Sequence, residues 1–185
     1  MKKLMLSVLA LAAITFSINA ANNTASGTAA AALIANLAVS STNGSDGFTG
    51  GQQVSDGKLE FGTIGIGTTG TSTVTIAPAS TTARSVVGDA NLSSTGNAPT
   101  AAAYKVTGAN QAYTVAFGAS SIVLTGITPT NHLTVNNFKT NLGVSNVGTI
   151  TGGASYFAVG ADLLVPSTAL VDTYSGTFAV TVTYN

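Results

Sequence analysis

Tyr174-Ser175-Gly176-Thr177-Phe178-Ala179-Val180-Thr181-Val182-Thr183-Tyr184 alternates strictly between two kinds of residue. Phe178, Val180, Val182 and Tyr184 fall on one face; Thr177, Ala179, Thr181 and Thr183 fall on the other. Successive side chains of a strand point to opposite sides, so a period of two in β-branched and aromatic residues predicts a half-buried β-strand.

The same reading extends upstream. Lys58–Ile64 and Thr71–Ile76 read as strands joined by the glycine-rich turn Gly65–Gly70, an expected hairpin. Further β-rich runs cover 84–87, 103–106, 113–117, 121–124, 132–138, 144–150 and 155–159, with 163–165 attached to the last, and Pro129 and Pro166 punctuate the series. Leu33-Ile34-Ala35-Asn36-Leu37-Ala38-Val39 reads first as a strand, with Leu33, Ala35, Leu37 and Val39 on one face. A helix ranks second there, because no cap or further repeat follows the i, i+4 pair of leucines. Many short strands separated by turn signals, with no convincing helix after the N-terminal segment, predict an all-β fold: a single immunoglobulin-like, antiparallel β-sandwich over 33–185.

The N-terminus reads as an export signal. Met1-Lys2-Lys3 is positive, an apolar run extends from Leu4 to Ile18, and small residues follow at Asn19-Ala20-Ala21. That layout is a secretory signal peptide over 1–20, cleaved after Ala20 or, alternatively, Ala21, and too short for a membrane span. Residues 21–32 are small and polar and read as a flexible arm. The expected location is therefore extracellular or on the cell surface, reached through the periplasm.

Cleavage would remove two lysines. Lys58, Arg84, Lys105 and Lys139 then stand against Asp46, Asp56, Glu60, Asp89, Asp162 and Asp172, a net charge of −2. So few cations build no basic patch, which argues against nucleic acid and anionic membranes as partners. Only 6% of residues are charged, against about a quarter in ordinary soluble domains. Weak self-repulsion suits a chain that associates. There is no cysteine, so the domain is expected to hold together without disulfides.

Leu59-Glu60-Phe61-Gly62-Thr63-Ile64, the glycine-rich turn and Thr73-Val74-Thr75-Ile76 resemble the opening of domain-of-unknown-function family 4402. Tyr104-Lys105-Val106-Thr107-Gly108, Leu133-Thr134-Val135-Asn136-Asn137-Phe138 and the Tyr174–Tyr184 stretch follow in that family's order, so the resemblance covers 33–185. It implies a secreted bacterial β-sandwich of pilin-like character. The Ser40–Gly57 loop is longer than the family usually has there. The alternating strand with Tyr184 penultimate also resembles chaperone–usher pilins, although Asp172 stands where those pilins place a glycine. That weaker similarity implies other pilin-like subunits, and a periplasmic chaperone, as partners.

The chemical candidates are thin. Gly65-Ile66-Gly67-Thr68-Thr69-Gly70 matches G-x-G-x-x-G, but that fingerprint cradles a dinucleotide only between a strand and a helix, and here another strand follows. His132 is the single histidine, no G-x-S-x-G elbow surrounds any serine, and a zinc site would need more ligands. Asn43-Gly44-Ser45-Asp46-Gly47 has oxygen ligands around glycines but lacks the acids and the closing glutamate of a calcium loop. Glu60 and Asp56 do not make a glycosidase pair, and the sequons at Asn22, Asn43 and Asn91 are expected of so Asn/Thr/Ser-rich a chain.

The expectation is thus a non-enzymatic chain without cofactor or metal: a structural subunit of a fimbria-like filament or surface assembly, joined by β-strand pairing. Leu33, Ala35, Leu37, Val39, Phe178, Val180, Val182 and Tyr184 are the assembly candidates, with the Leu33–Val39 strip free either to stay in its own sandwich or to pass to a neighbour. The alternative is an adhesin or binding module for a glycan or host protein, with Tyr104, Tyr113, Tyr156 and Tyr174 as stacking platforms.

Overall fold

β12, Ala154–Pro166, is the spine of the structure, a computed structural model that describes residues 31, 33–42, 47–48, 54–79 and 84–185. The signal peptide, nearly all of the arm, and Asn43–Asp46 of the calcium-like loop lie outside the described residues. In chain order the other strands are β1 (Ala38–Ser41), β2 (Val54–Asp56), β3 (Ile64–Gly65), β4 (Thr71–Ile76), β5 (Ser85–Val87), β6 (Asn91–Leu92) and β7 (Ala101–Thr107). β8 (Ala112–Phe117), β9 (Ser121–Gly126), β10 (His132–Thr140), β11 (Val147–Thr149), β13 (Tyr174–Ser175) and β14 (Val180–Tyr184) complete them. The one helical element among the described residues is a 3-10 turn at Val144–Asn146, so the protein is all-β.

β12 is long enough to serve two neighbours on one side. Its first half pairs with β7 from Ala154↔Thr107 to Val159↔Ala102, and its second half with β4 from Ala161↔Ile76 to Pro166↔Thr71. β10 lies along the other side, followed by β9 and β13, while β1 flanks β7 and β5 flanks β4. All these pairings are antiparallel except the short contact of β2 with β7. A second, three-stranded sheet in the order β11-β8-β14 forms the other layer, and β3 pairs with β6 separately. The expected antiparallel β-sandwich is what the chain forms.

Alternation sets the core. Phe157, Val159, Ala161, Leu163 and Val165 of β12 all turn inward and are buried. The first two meet Tyr113 and Val115 of β8 and half-buried Val180, Val182 and Tyr184 of β14. The last two join Val74, Ile76, Leu133 and Val135 under the Leu59–Ile64 stretch. In β10 a register shift between Asn136 and Lys139 interrupts the period. Asn137 takes a left-handed φ of 52°, a conformation Asn tolerates better than most residues, and the bulge delivers Phe138 to both halves of the core.

Four expectations are corrected. The Lys58–Ile64/Thr71–Ile76 hairpin does not form: β4 pairs with β12 and β5, and Lys58–Thr63 runs mostly without strand partners apart from the Glu60↔Thr100 bridge. β12 offers β4 a buried ladder of six residue pairs, which the glycine-rich turn cannot match. The Leu33–Val39 strand is shorter and later, beginning at Ala38, because β7 pairs only from Ala38↔Thr107 onward. Val144–Ile150 begins as the 3-10 turn, with strand only at Val147–Thr149. Tyr174–Tyr184 is two strands: β13 pairs with β9 in the large sheet, β14 with β8 in the small one, and Gly176–Ala179 crosses between the layers.

Candidate assembly surface

The second layer is shorter than the first. It covers the half of the large sheet where β7 and β12 pair, and past Phe178 the sheet is roofed by mostly irregular chain and the short β3. Between that chain and the sheet lies a cleft of about 1120 Å³. Its floor carries Ile122 and Leu124 of β9, Leu133 and Val135 of β10, and Leu163 and Val165 of β12, residues that alternate toward the inside of their strands. Gly57–Ile66 forms one wall, with Leu59, Phe61 and Ile64; Ala169–Phe178 forms the other. Leu170 and Val171, 60% and 94% exposed, stand at its rim.

Besides the β13–β9 pairing, one carboxylate fastens the Ala169–Phe178 wall. Asp172 accepts hydrogen bonds from the backbone N–H of Ile127 (3.2 Å), Thr128 (3.0 Å) and Thr173 (2.7 Å), and from Asn131 Nδ2 (2.8 Å). The Thr128 amide first, then Asn131 and the other amides, lower its pKa below the ordinary carboxylate value. Thus Asp172, noticed in the sequence only as a departure from the pilin pattern, is the clamp of the β9–β10 turn onto the last crossing.

β14 follows that wall in the chain and is an edge strand, with β8 on one side and no strand on the other among the described residues. The amide of Gly118 donates to Ala179 O and that of Asn185 to Ala112 O. Odd-numbered residues therefore make the ladder with β8, and Val180, Val182 and Tyr184 direct their N–H and C=O toward the open side. Their side chains turn into the core, as expected. Phe178 joins an aromatic cluster, stacked on Phe138 at 5.3 Å and edge-on to Tyr104 at 6.5 Å.

The N-terminal candidates divide. Leu37 and Val39 pack half-buried against the core beside Tyr113 and Phe157, so the strip lies partly in its own sandwich. Leu33 is 97% exposed and Ala35 is exposed too, contrary to the single apolar face expected, because the chain leaves the sheet before Ala38. The Tyr184 hydroxyl donates to Ala35 O (2.9 Å) and accepts from Ala109 N (2.6 Å), fixing the strip to the far end of β14 from Phe178.

The remaining candidates are structural in their surroundings. The G-x-G-x-x-G loop does cradle an anion, the chain's own Asp89. Its carboxylate accepts from the amides of Thr68 (2.8 Å) and Thr69 (3.0 Å) and from both hydroxyls, and the Thr68 backbone bond leads the causes that hold its pKa at about 2. A Cβ on Gly67 would collide with Asp89 Oδ1, so only glycine admits the carboxylate in this position. His132 opens β10 opposite Thr125, exposed. Of the tyrosines, Tyr113 is wholly buried with its hydroxyl on Ser155 Oγ (3.0 Å), Tyr156 lies under Lys105 Nζ at 5.7 Å, and Tyr104 and Tyr174 line the cleft. Among the described residues no three His, Cys, Asp or Glu side chains gather as metal ligands would, and no helix is long and apolar enough to cross a membrane.

The family model described as Domain of unknown function (DUF4402) matches residues 52–184. No curated protein and no solved structure matches the chain.

Proposed function

The chain belongs to the DUF4402 family, and from that premise we propose that it is a secreted structural subunit of a fimbria-like filament or cell-surface assembly, its copies joined by β-strand pairing. One observation carries the reading: β14 presents an open backbone edge, and an apolar cleft lies beyond Phe178. Such edges recruit further strands unless they are short, charged or covered, and β14 carries no charged residue. The low charge of the whole chain removes the repulsion that keeps ordinary domains apart. Electron microscopy of shed surface material and of the purified chain tests it: ordered fibres are the expected result, and monodisperse single chains over a wide concentration range would count against it.

A second reading, a surface adhesin, is favoured by Tyr104 and Tyr174 in the cleft wall, since ring faces suit sugars. It predicts saturable glycan binding lost on Tyr174→Ala.

A further inference from the structure

We infer that two copies of the chain join edge to edge through β14, each pairing antiparallel with the β14 of the other about a two-fold axis at Val182; this rests on the assembly reading above. Of the strands at the ends of the two layers, β14 is the longest. β1 has four residues, β2, β5 and β11 have three, β13 has two and β14 has five. Shortness, charge, proline and bulges are what keep an edge from pairing. Val180–Tyr184 has no charge and no proline, and its register with β8 is unbroken.

The outward groups of this edge complement themselves. Val180, Val182 and Tyr184 direct N–H and C=O away from β8, and no described residue bonds to them. The three positions are symmetric about Val182. With the axis there, Val182 faces Val182 of the second copy and Val180 faces Tyr184 in both directions. Each is a pair that exchanges two hydrogen bonds, because such pairs recur at every second residue of an antiparallel ladder. No other position of the axis engages all three N–H and all three C=O groups of each copy.

The side chains agree with that register. An axis perpendicular to the sheet keeps inner faces on one side and outer faces on the other. Thr181 of one copy then lies opposite Thr183 of the other on the exposed face, a favourable cross-strand pair. Val180 and Tyr184 stand side by side on the core face, and the two three-stranded layers become one continuous sheet. The same patch meets itself, and it is uncharged, so no like charges oppose the contact. The strand spans only about 17 Å at ~3.3 Å per residue. The pair therefore falls in the class of small interfaces, below about 1,200 Å², and forms at the high local concentration of an assembly. It closes on itself, so it is the building unit of the assembly, and growth uses another surface.

The chain has no cysteine, so Thr181→Cys and Thr183→Cys, both at exposed positions, report this register alone. Across a non-hydrogen-bonded pair their Cα atoms stand about 4.5 Å apart, within the reach of a disulfide. Full-length chains carrying one substitution each, mixed at high concentration and mildly oxidised, are expected to give a two-chain band that reductant removes. A mixture of Thr181→Cys with Ser121→Cys, exposed on β9, should give far less. Thr181→Lys with Thr183→Lys sets like charges across the axis and should abolish the dimer in sedimentation velocity. Thr181→Lys with Thr183→Glu sets opposite charges there and should restore it, with the melting temperature of the dilute chain unchanged in both. Equal cross-linking in the Ser121 mixture, or an undiminished dimer in the double lysine variant, would overturn the pairing. Fibres without a 181–183 link would leave the assembly reading standing and remove β14 as its contact. A linked dimer that never forms fibres would support the pairing and count against the filament, and single chains at every concentration would remove both.

Discussion

Two carboxylates, Asp89 and Asp172, hold irregular chain in place by accepting backbone amides, and both titrate below the ordinary range. A depressed folded-state pKa contributes stability that is fully present above the unfolded value, 3.8, and is lost as pH falls through the folded one, about 2 for Asp89. Melting temperature should therefore be flat at neutral pH and decline below pH 3.8 toward 2, and Asp89→Asn with Asp172→Asn should flatten that acid limb in a calorimetric series. Gly67→Ala should destabilise by about 1–3 kcal/mol in urea titration, since its methyl must displace the Asp89 carboxylate. His132→Ala should leave folding and assembly unchanged, by the same titration and by microscopy. Neither carboxylate clamp was legible in the sequence: the glycine spacing is visible as a motif, but the anion it receives lies some twenty residues downstream, beyond any local pattern.

Among the elements, alternation was the reliable signal wherever one face is buried and the other wet. Phe178, Val180, Val182 and Tyr184 turn inward as the spacing predicts, and Thr177, Ala179, Thr181 and Thr183 are exposed. Phe178→Ala should cost about 3 kcal/mol, the lower end for a large aromatic because the ring is half-buried, and Thr181→Ala less than about 0.5 kcal/mol. Comparison of the two urea midpoints checks the register; equal losses would mean that this assignment of faces is wrong. The break at Gly176–Ala179 was hidden because both pieces keep one period, and what divides them is a change of partner from β9 to β8. The hairpin expected at Gly65–Gly70 failed for the same kind of reason. Turn chemistry shows that the chain can reverse, whereas partner choice depends on burial, and β12 buries β4 more fully than Lys58–Ile64 could.

For the molecule as a whole, the class and the inward residues of most strands could be read from the sequence, and the cleft could not. Its floor and walls come from stretches around residues 57–66, 122–135 and 163–178, which only the sheet order brings together. Stability should be graded outward from β12, whose Phe157, Ala158, Val159 and Ala161 are fully buried, to β1 at the edge. Hydrogen exchange should find the slowest amides in β12 and its β10 and β4 partners, and faster opening in the edge strand β1; comparable protection of β1 and β12 would contradict that gradient. The crossing at Gly176–Ala179 has a mechanical consequence. One continuous backbone is fastened to β9 in one layer and to β8 in the other, so the layers of this cysteine-free sandwich are stitched together covalently. A pull on Asn185 along the strand loads the five residue pairs of β14 and β8 together in shear, instead of unzipping them one at a time. Behind them, the Asp172 clamp takes up whatever tension passes the crossing, which gives the sandwich resistance to stretching without a covalent cross-link between side chains.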